Sequence, residues 1–302
     1  MPLPPLSDLH RHLDGSLREA TLRELAAGLG VDVPDEVRFS RGMGLAAALR
    51  CFELSLAVLQ APAAVRRVAD EICADAAREG VTTLEIRFAP QLHAGASPAA
   101  IVDAAAEGAA GRAGLILCGL FGEDPSVLEA LVGVARDCPA VVGIDLAGGP
   151  SPAHPHRLRD YSRPFSLARD LGLGRTVHAG EGRPPSEIRE AVFFLHAQRI
   201  GHGTTLVDDP AVLELVHDRG VTIEACLTSN LHTGAVAELA AHPLPRLLSA
   251  GVRVTVCTDN TLFSDVDAPG EYRRAGALPG TGATAVEALA AFGHAAAFPR
   301  RG

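Results

Sequence analysis

The 302-residue chain contains no lysine and no tryptophan, only two methionines, and aromatic residues at 4%. Without lysine there is no G-x-x-x-x-G-K-[ST] phosphate loop, since that lysine reaches the nucleotide phosphates. A two-metal hydrolase site bridged by a carboxylated lysine is closed as well, although an Asp or Glu bridge stays open. The basic residues are all arginine, and 27 of them against 36 acidic residues leave a formal charge of −9. That balance argues against nonspecific nucleic-acid binding and against docking on an anionic membrane. Six cysteines are present, none in a C-x-x-C pair, so free thiols in a reducing cytoplasm are expected. H-E-x-x-H, G-x-S-x-G and the H-x-E with P-C-x-x-C zinc signature are all missing. The opening residues MPLPPLSDLHRHLDG have neither a basic n-region nor a long apolar h-region, so no signal peptide is expected. The most apolar helical stretch, 45–60, is broken by Arg50 and Glu53 and falls short of the roughly 20 residues a membrane span needs.

What the chain does have is apolar residue, 47%, in an alternating pattern. Strand-like runs fall at 6–9, 83–88, 115–119, 141–146, 175–178, 199–201, 221–225 and 252–257. Helical stretches lie between most of them, at 98–111, 125–137, 157–171, 186–196, 208–219 and 235–250, with a last one at 284–298. Buried runs separated by helices predict parallel strands joined by crossovers. Eight such units without a clear linker predict one α/β domain over 1–302, a (β/α)8 TIM barrel. Between the first and second runs lies a helical insertion, approximately 16–80. It begins with a capping-box pattern at Ser16 and Glu19 and includes Leu45, Leu49, Phe52, Leu56 and Leu59 on one helical face. Placed after a barrel strand, such an insertion sits over the C-terminal mouth as a lid.

Histidine and aspartate collect at the strand ends, where barrel enzymes keep their chemistry. His10 and His12 are two apart, so on a strand they point to the same side. His178 ends the fifth run, His202 the sixth, and Asp259 follows the eighth. Three imidazoles and a carboxylate from His10, His12, His178 and Asp259 suit zinc, which lowers the pKa of a bound water toward about 7. Glu181, three residues past His178, is placed to move a proton. By residue type alone His202 is a ligand, a base or an oxyanion donor.

The segments DLHRHLDGSL at 8–17, EIRFAP at 85–90, GIDLAGG at 143–149, TVHAGE at 176–181, RIGHGTTL at 199–206 and VTVCTDN at 254–260 together resemble the adenosine deaminase family of metal-dependent hydrolases. The resemblance spans nearly the whole chain. It implies one zinc per chain on the four ligands above, Glu181 as proton shuttle to purine N1, and His202 as a non-ligand that orients the attacking oxygen. It implies that Asp14 holds the ribose 5′-hydroxyl and that the Gly148 amide meets purine N3. Asn260 stands where the family usually has a second aspartate, beside N7. Its amide can donate to a bare N7, as an ionised carboxylate cannot. Phe121-Gly122 replaces a frequent Arg-His pair. Asp145 is expected to support the mouth through hydrogen bonds.

The implied activity is zinc-dependent hydrolytic deamination of a 6-aminopurine nucleoside, adenosine or 2′-deoxyadenosine going to inosine or 2′-deoxyinosine plus ammonia. Its partners are then the purine nucleoside and water, with homo-oligomers left open. Three alternatives stand beside it: a deaminase of 6-amino-6-deoxyfutalosine or another modified aminopurine, a barrel metallohydrolase of a non-purine substrate, and an inactive binding protein.

Overall fold

Eight strands of four to eight residues form in the computed structural model, which describes residues 3–301. They are β1 (Leu6–His12), β2 (Val81–Phe88), β3 (Gly114–Leu120), β4 (Val141–Ala147), β5 (Gly174–Ala179), β6 (Arg199–His202), β7 (Thr222–Ala225) and β8 (Arg253–Val256). Each strand pairs in parallel with the next, in chain order. The ring closes between the ends of β1 and β8. There Arg11 bridges Asp259, the His12 amide donates to the Asp259 carbonyl at 2.8 Å, and the Asp259 amide donates to the His10 carbonyl at 2.8 Å. Asp8 staples the same seam, accepting the Thr258 hydroxyl at 2.6 Å and amide at 3.2 Å. The fold is a (β/α)8 barrel with helical insertions.

The helices, in chain order, are α1 (Glu19–Leu29), α2 (Leu45–Val58), α3 (Pro62–Arg78), α4 (Pro98–Ala109), α5 (Pro125–Asp137), α6 (Ser162–Asp170), α7 (Ser186–Phe194), α8 (Pro210–Asp218), α9 (Leu227–His232), α10 (Leu244–Ser249), α11 (Thr261–Ser264), α12 (Ala268–Ala277) and α13 (Ala283–Ala296). Prolines at the first turn of α3, α4, α5 and α8 open those helices, where the missing amide hydrogen costs nothing. Three helices, α1 to α3, separate β1 from β2.

Local expectations differ from the structure in three places. The first strand runs on to His12, so His10 and His12 belong to the strand itself. The capping box at Ser16 does not form: Arg18 is the N-cap and makes no side-chain cap. The Ser16 hydroxyl instead accepts the Thr261 amide at 3.2 Å, tying the end of β1 to the start of α11. The helix expected over 235–250 is confined to α10, because Pro243 cannot continue a preceding helix but can begin a new one. Among the described residues no single helix is long and apolar enough to cross a membrane. All six cysteines are free, and five of them are buried.

Candidate active site

Strand periodicity turns His10 and His12 to the same side of β1. His178 arrives from β5, and Asp259 from the turn after β8. His12 Nε2 lies 3.3 Å from His178 Nε2, and Asp259 Oδ1 lies 3.4 Å from His12 Nε2 and 3.5 Å from His10 Nε2. Zinc arms of roughly 2.0–2.1 Å give tetrahedral edges of about 3.3–3.4 Å, so these donor atoms are spaced as ligands of one ion. His10 Nε2 is buried with no hydrogen-bond partner, as a ligand atom would be. Two overlapping groups of donors form, His10 with His12 and His178, and His10 with His202 and Asp259. Sharing His10, they are consistent with a single catalytic zinc site. Asp259 and His202 both adopt positive φ, 63° and 67°, a conformation that costs non-glycine residues energy and turns up at functional sites.

Behind the histidines lies a charged layer. His10 Nδ1 sits 2.7 Å from Glu224 Oε2, and His178 Nδ1 sits 3.0 Å from Asp145 Oδ2. Carboxylates accept, so both Nδ1 atoms carry protons and both Nε2 lone pairs are left for metal. Arg87 donates to Asp145 at 2.9 Å and to Glu224 at 2.8 Å, joining the two carboxylates. Arg199 pairs with Glu85 and Glu224 at 2.5 and 2.7 Å. Burial pushes Asp145 and Glu224 up, but His178 and Arg87 at Asp145, and Arg87 and Arg199 at Glu224, outweigh it and hold both well below the usual carboxylate range. Burial also keeps His12 neutral, and it brings His202 down to about 4 despite Glu181 and Asp259.

On the other side is a small chamber of about 50 Å³, lined by His12, His178, Glu181, His202, Asp259 and Asn260, among others. Glu181 is buried in its wall, where Oε1 accepts the Thr233 hydroxyl at 2.8 Å. Residues of α2 roof it. The apolar face expected from Leu45, Leu49 and Phe52 therefore faces a cavity, which is why these side chains are not fully buried. Phe52 also packs edge-on to Phe263, which stacks on Phe39 with 5.1 Å between centroids.

A second cavity of about 580 Å³ shares His12, Leu45, Leu49, Phe52 and Gly148 with the chamber. Gly148 has φ 75°, and the space where a Cβ would stand is open. Asn260 faces the chamber, and its Oδ1 is buried without a partner. A Cβ on residue 15 would lie 1.9 Å from that oxygen, so only glycine fits beneath Asn260. Asp14 is buried beside the metal ligands but lines neither cavity. Burial and Asp259 raise its carboxyl to about 7, and its Oδ1 lacks a partner.

Sequence reasoning missed Arg87, Glu224, Thr233, Asn230 and His242. Arg87 and Glu224 did leave a signal: each is a charged residue inside an otherwise buried strand run. His232 Nδ1 lies 3.4 Å from Ser264 Oγ. The histidines of the 152–156 loop join no metal-type cluster among the described residues.

A family profile described as Adenosine deaminase matches residues 5–300. The chain belongs to the adenosine deaminase family. It is 36% identical over 289 residues to an adenosine deaminase of Serratia proteamaculans, covering 89% of this chain and 86% of that one. It is 33% identical over 293 residues to a probable adenosine deaminase of Dictyostelium discoideum, covering 90% of this chain but 38% of that longer protein. Among solved structures, an adenine deaminase from Arthrobacter aurescens superposes with a TM-score of 0.88 at 26% identity, over 98% of this chain and 94% of its own. The N6-methyl-AMP deaminase of Arabidopsis thaliana superposes with a TM-score of 0.85 at 26% identity, over 98% and 92%. This member of the adenosine deaminase family is a zinc-dependent aminohydrolase acting on aminopurines.

Proposed function

We propose that the chain deaminates an uncharged 6-aminopurine nucleoside, adenosine or 2′-deoxyadenosine, to the 6-oxopurine nucleoside and ammonia. The observation carrying this choice is the large cavity beside the chamber. Its lining includes Leu56, Leu92, Leu120 and Phe121 and contains no Asp, Glu or Arg. With no lysine in the chain, that lining itself offers a phosphate neither a lysine nor an arginine. A purine with C6 at the metal ligands and N3 at Gly148 sends its N9 substituent past Gly148 into this cavity, because N3 and N9 share a ring carbon. A neutral sugar fits there. The leucine-lined end gives room for a 5′-extended nucleoside such as 6-amino-6-deoxyfutalosine, the second reading.

His10, His12, His178 and Asp259 hold one zinc per chain in this proposal. Zinc, when bound, supplies a Lewis acid and brings a water's pKa toward neutrality. Glu181 takes the water's proton and delivers it to purine N1, which makes C6 electron-poor. His202 stabilises the oxygen that bonds to C6. The Gly148 amide and the Asn260 amide read N3 and N7, while Asp14, which lines neither cavity, takes no part in this pose. Closure of α2 over the mouth excludes bulk water. A reducing cytoplasm suits the six free thiols.

Ammonia release from adenosine, 2′-deoxyadenosine, AMP, adenine and 6-amino-6-deoxyfutalosine tests the substrate. Adenosine or its deoxy form should give the highest kcat/KM and AMP at least tenfold less. A preference for AMP or adenine overturns the proposal. Elemental analysis should find one zinc per chain, and two metals would overturn the ligand set.

A further inference from the structure

A buried hydrogen-bond relay lies behind His202. It starts from a donor whose direction is beyond doubt, the backbone amide of Leu244. That N–H meets His242 Nδ1 at 3.1 Å, so His242 Nδ1 carries a lone pair. Burial lowers the His242 pKa to about 4, and the ring is neutral at pH 7. Its one proton is therefore on Nε2, which donates to Asn230 Oδ1 at 3.3 Å. The Asn230 amide is thereby oriented, and its Nδ2 faces His202 Nδ1 at 3.0 Å. An amide NH2 only donates, so His202 Nδ1 accepts. Glu181 Oε1, at 3.8 Å, lies beyond hydrogen-bond reach of that nitrogen and takes the Thr233 hydroxyl instead.

We infer that Asn230 and His242 are positioning residues that place the proton of His202 on Nε2, making it a hydrogen-bond donor toward the reacting oxygen and withholding it from the metal. The contrast with the neighbouring histidines carries the point. His10 and His178 have carboxylates on Nδ1, which put the proton there and leave Nε2 free to ligate. His202 has an amide donor on Nδ1, which forces the opposite tautomer. Two kinds of partner behind three similar rings thus sort ligands from the donor. This also separates the two overlapping groups of metal-type residues, since His202 in this tautomer has no lone pair on Nε2 to offer.

The inference rests on the proposed role of His202, and its test separates the two. Long-range 1H–15N correlation spectra of the zinc-loaded protein should show His202 as the Nε2–H tautomer. Asn230→Asp replaces the donor with an acceptor and should move the proton to Nδ1. His242→Gln keeps a donor toward Asn230 Oδ1 and should retain the wild-type tautomer, whereas His242→Leu should yield a mixture. The kcat of Asn230→Asp should fall about 10²–10³-fold, as when one donor to a developing oxyanion is lost, with KM changed much less. His242→Gln should stay within about tenfold of wild type, a rescue that a merely structural role would not require. An Nδ1–H tautomer in the wild type, or an unchanged tautomer in Asn230→Asp, overturns the relay. A shifted tautomer with unchanged kcat leaves the relay standing and overturns the donor role of His202.

Discussion

The imidazoles of His10 and His178 face two unlike surroundings. On the Nδ1 side, Arg87 and Arg199 each meet two carboxylates, and the buried charges answer one another. On the Nε2 side, His10 Nε2, Asp14 Oδ1 and Asn260 Oδ1 are buried without a hydrogen bond; Arg87 Nε and Arg199 Nε lack one too, but each belongs to a guanidinium paired with two carboxylates. Burying an unpaired polar atom costs about 1–3 kcal/mol, so the second arrangement does not serve stability. The charged layer holds the rings rigidly, and that rigidity lets the chamber side keep its polar atoms uncommitted until ligand arrives. Stability and chemistry are thus divided across the thickness of a few rings.

Substitutions on the two sides should fail in different ways. The largest effect belongs to the chamber. Glu181→Gln keeps the size and the zinc but removes the transferable proton, so kcat should fall about 10²–10⁴-fold while the urea midpoint hardly moves. Steady-state kinetics beside an unfolding curve checks both halves, and a wild-type kcat would remove Glu181 from the mechanism. Next comes Arg87→Leu, which strands Asp145 and Glu224 without their shared cation. Breaking a buried ion pair by removing one partner costs about 3–5 kcal/mol, so the unfolding midpoint should drop, and zinc affinity should fall about 10–100-fold. A variant with unchanged stability would mean that packing, not charge, holds the layer.

Acid should also separate the sides. His242 has an unfolded pKa of 6.5 and a folded value of about 4. Between those values the unfolded chain takes a proton that the folded one refuses, so stability falls as pH drops from 6.5 to 4. The loss is about 3 kcal/mol and should shrink in His242→Asn, measured by urea titration across that window. Asp145 and Glu224 run differently. Their folded values lie below the unfolded ones, so their contribution is whole above the unfolded value and disappears only at lower pH. The smallest effect is the reading of N7. The 7-deaza analogue should lose roughly tenfold in kcat/KM, and Asn260→Ala should narrow that gap, the interaction term of the cycle being about 1 kcal/mol. A gap unchanged by Asn260→Ala would make the residue a neighbour of the Asp259 turn and nothing more.

The barrel and the gathering of His10, His12, His178 and Asp259 were legible in the chain because both follow local rules. Buried strands read as short aliphatic runs, and the chemical residues lie at fixed ends of them, as His178 and Asp259 do. Ser16 shows where local rules stop. Its capping pattern is sound, but a contact with Thr261, 245 residues away, claims the hydroxyl first. The relay was illegible for a related reason. Asn230 reaches His202 and His242 across 28 and 12 residues, separations that follow no helical or strand period. Leu45, Leu49 and Phe52 were read correctly as one face, yet only the structure reveals that the face looks onto a cavity.

The seam between β1 and β8 sets a timetable. Asp8 and Thr258, hydrogen-bonded across it, stand 250 residues apart. At synthesis rates of about 5–20 residues per second, the ribosome needs roughly 12–50 s to travel from one to the other. During that interval His10 and His12 exist as a pair without the carboxylate that completes their donor set. On the proposed ligand set, a full-affinity metal site comes into being only when the ring shuts, so zinc uptake is expected late in biogenesis, as a clock for closure. A truncation that stops anywhere between His178 and Asp259 leaves the three histidines of the proposed donor set without their carboxylate.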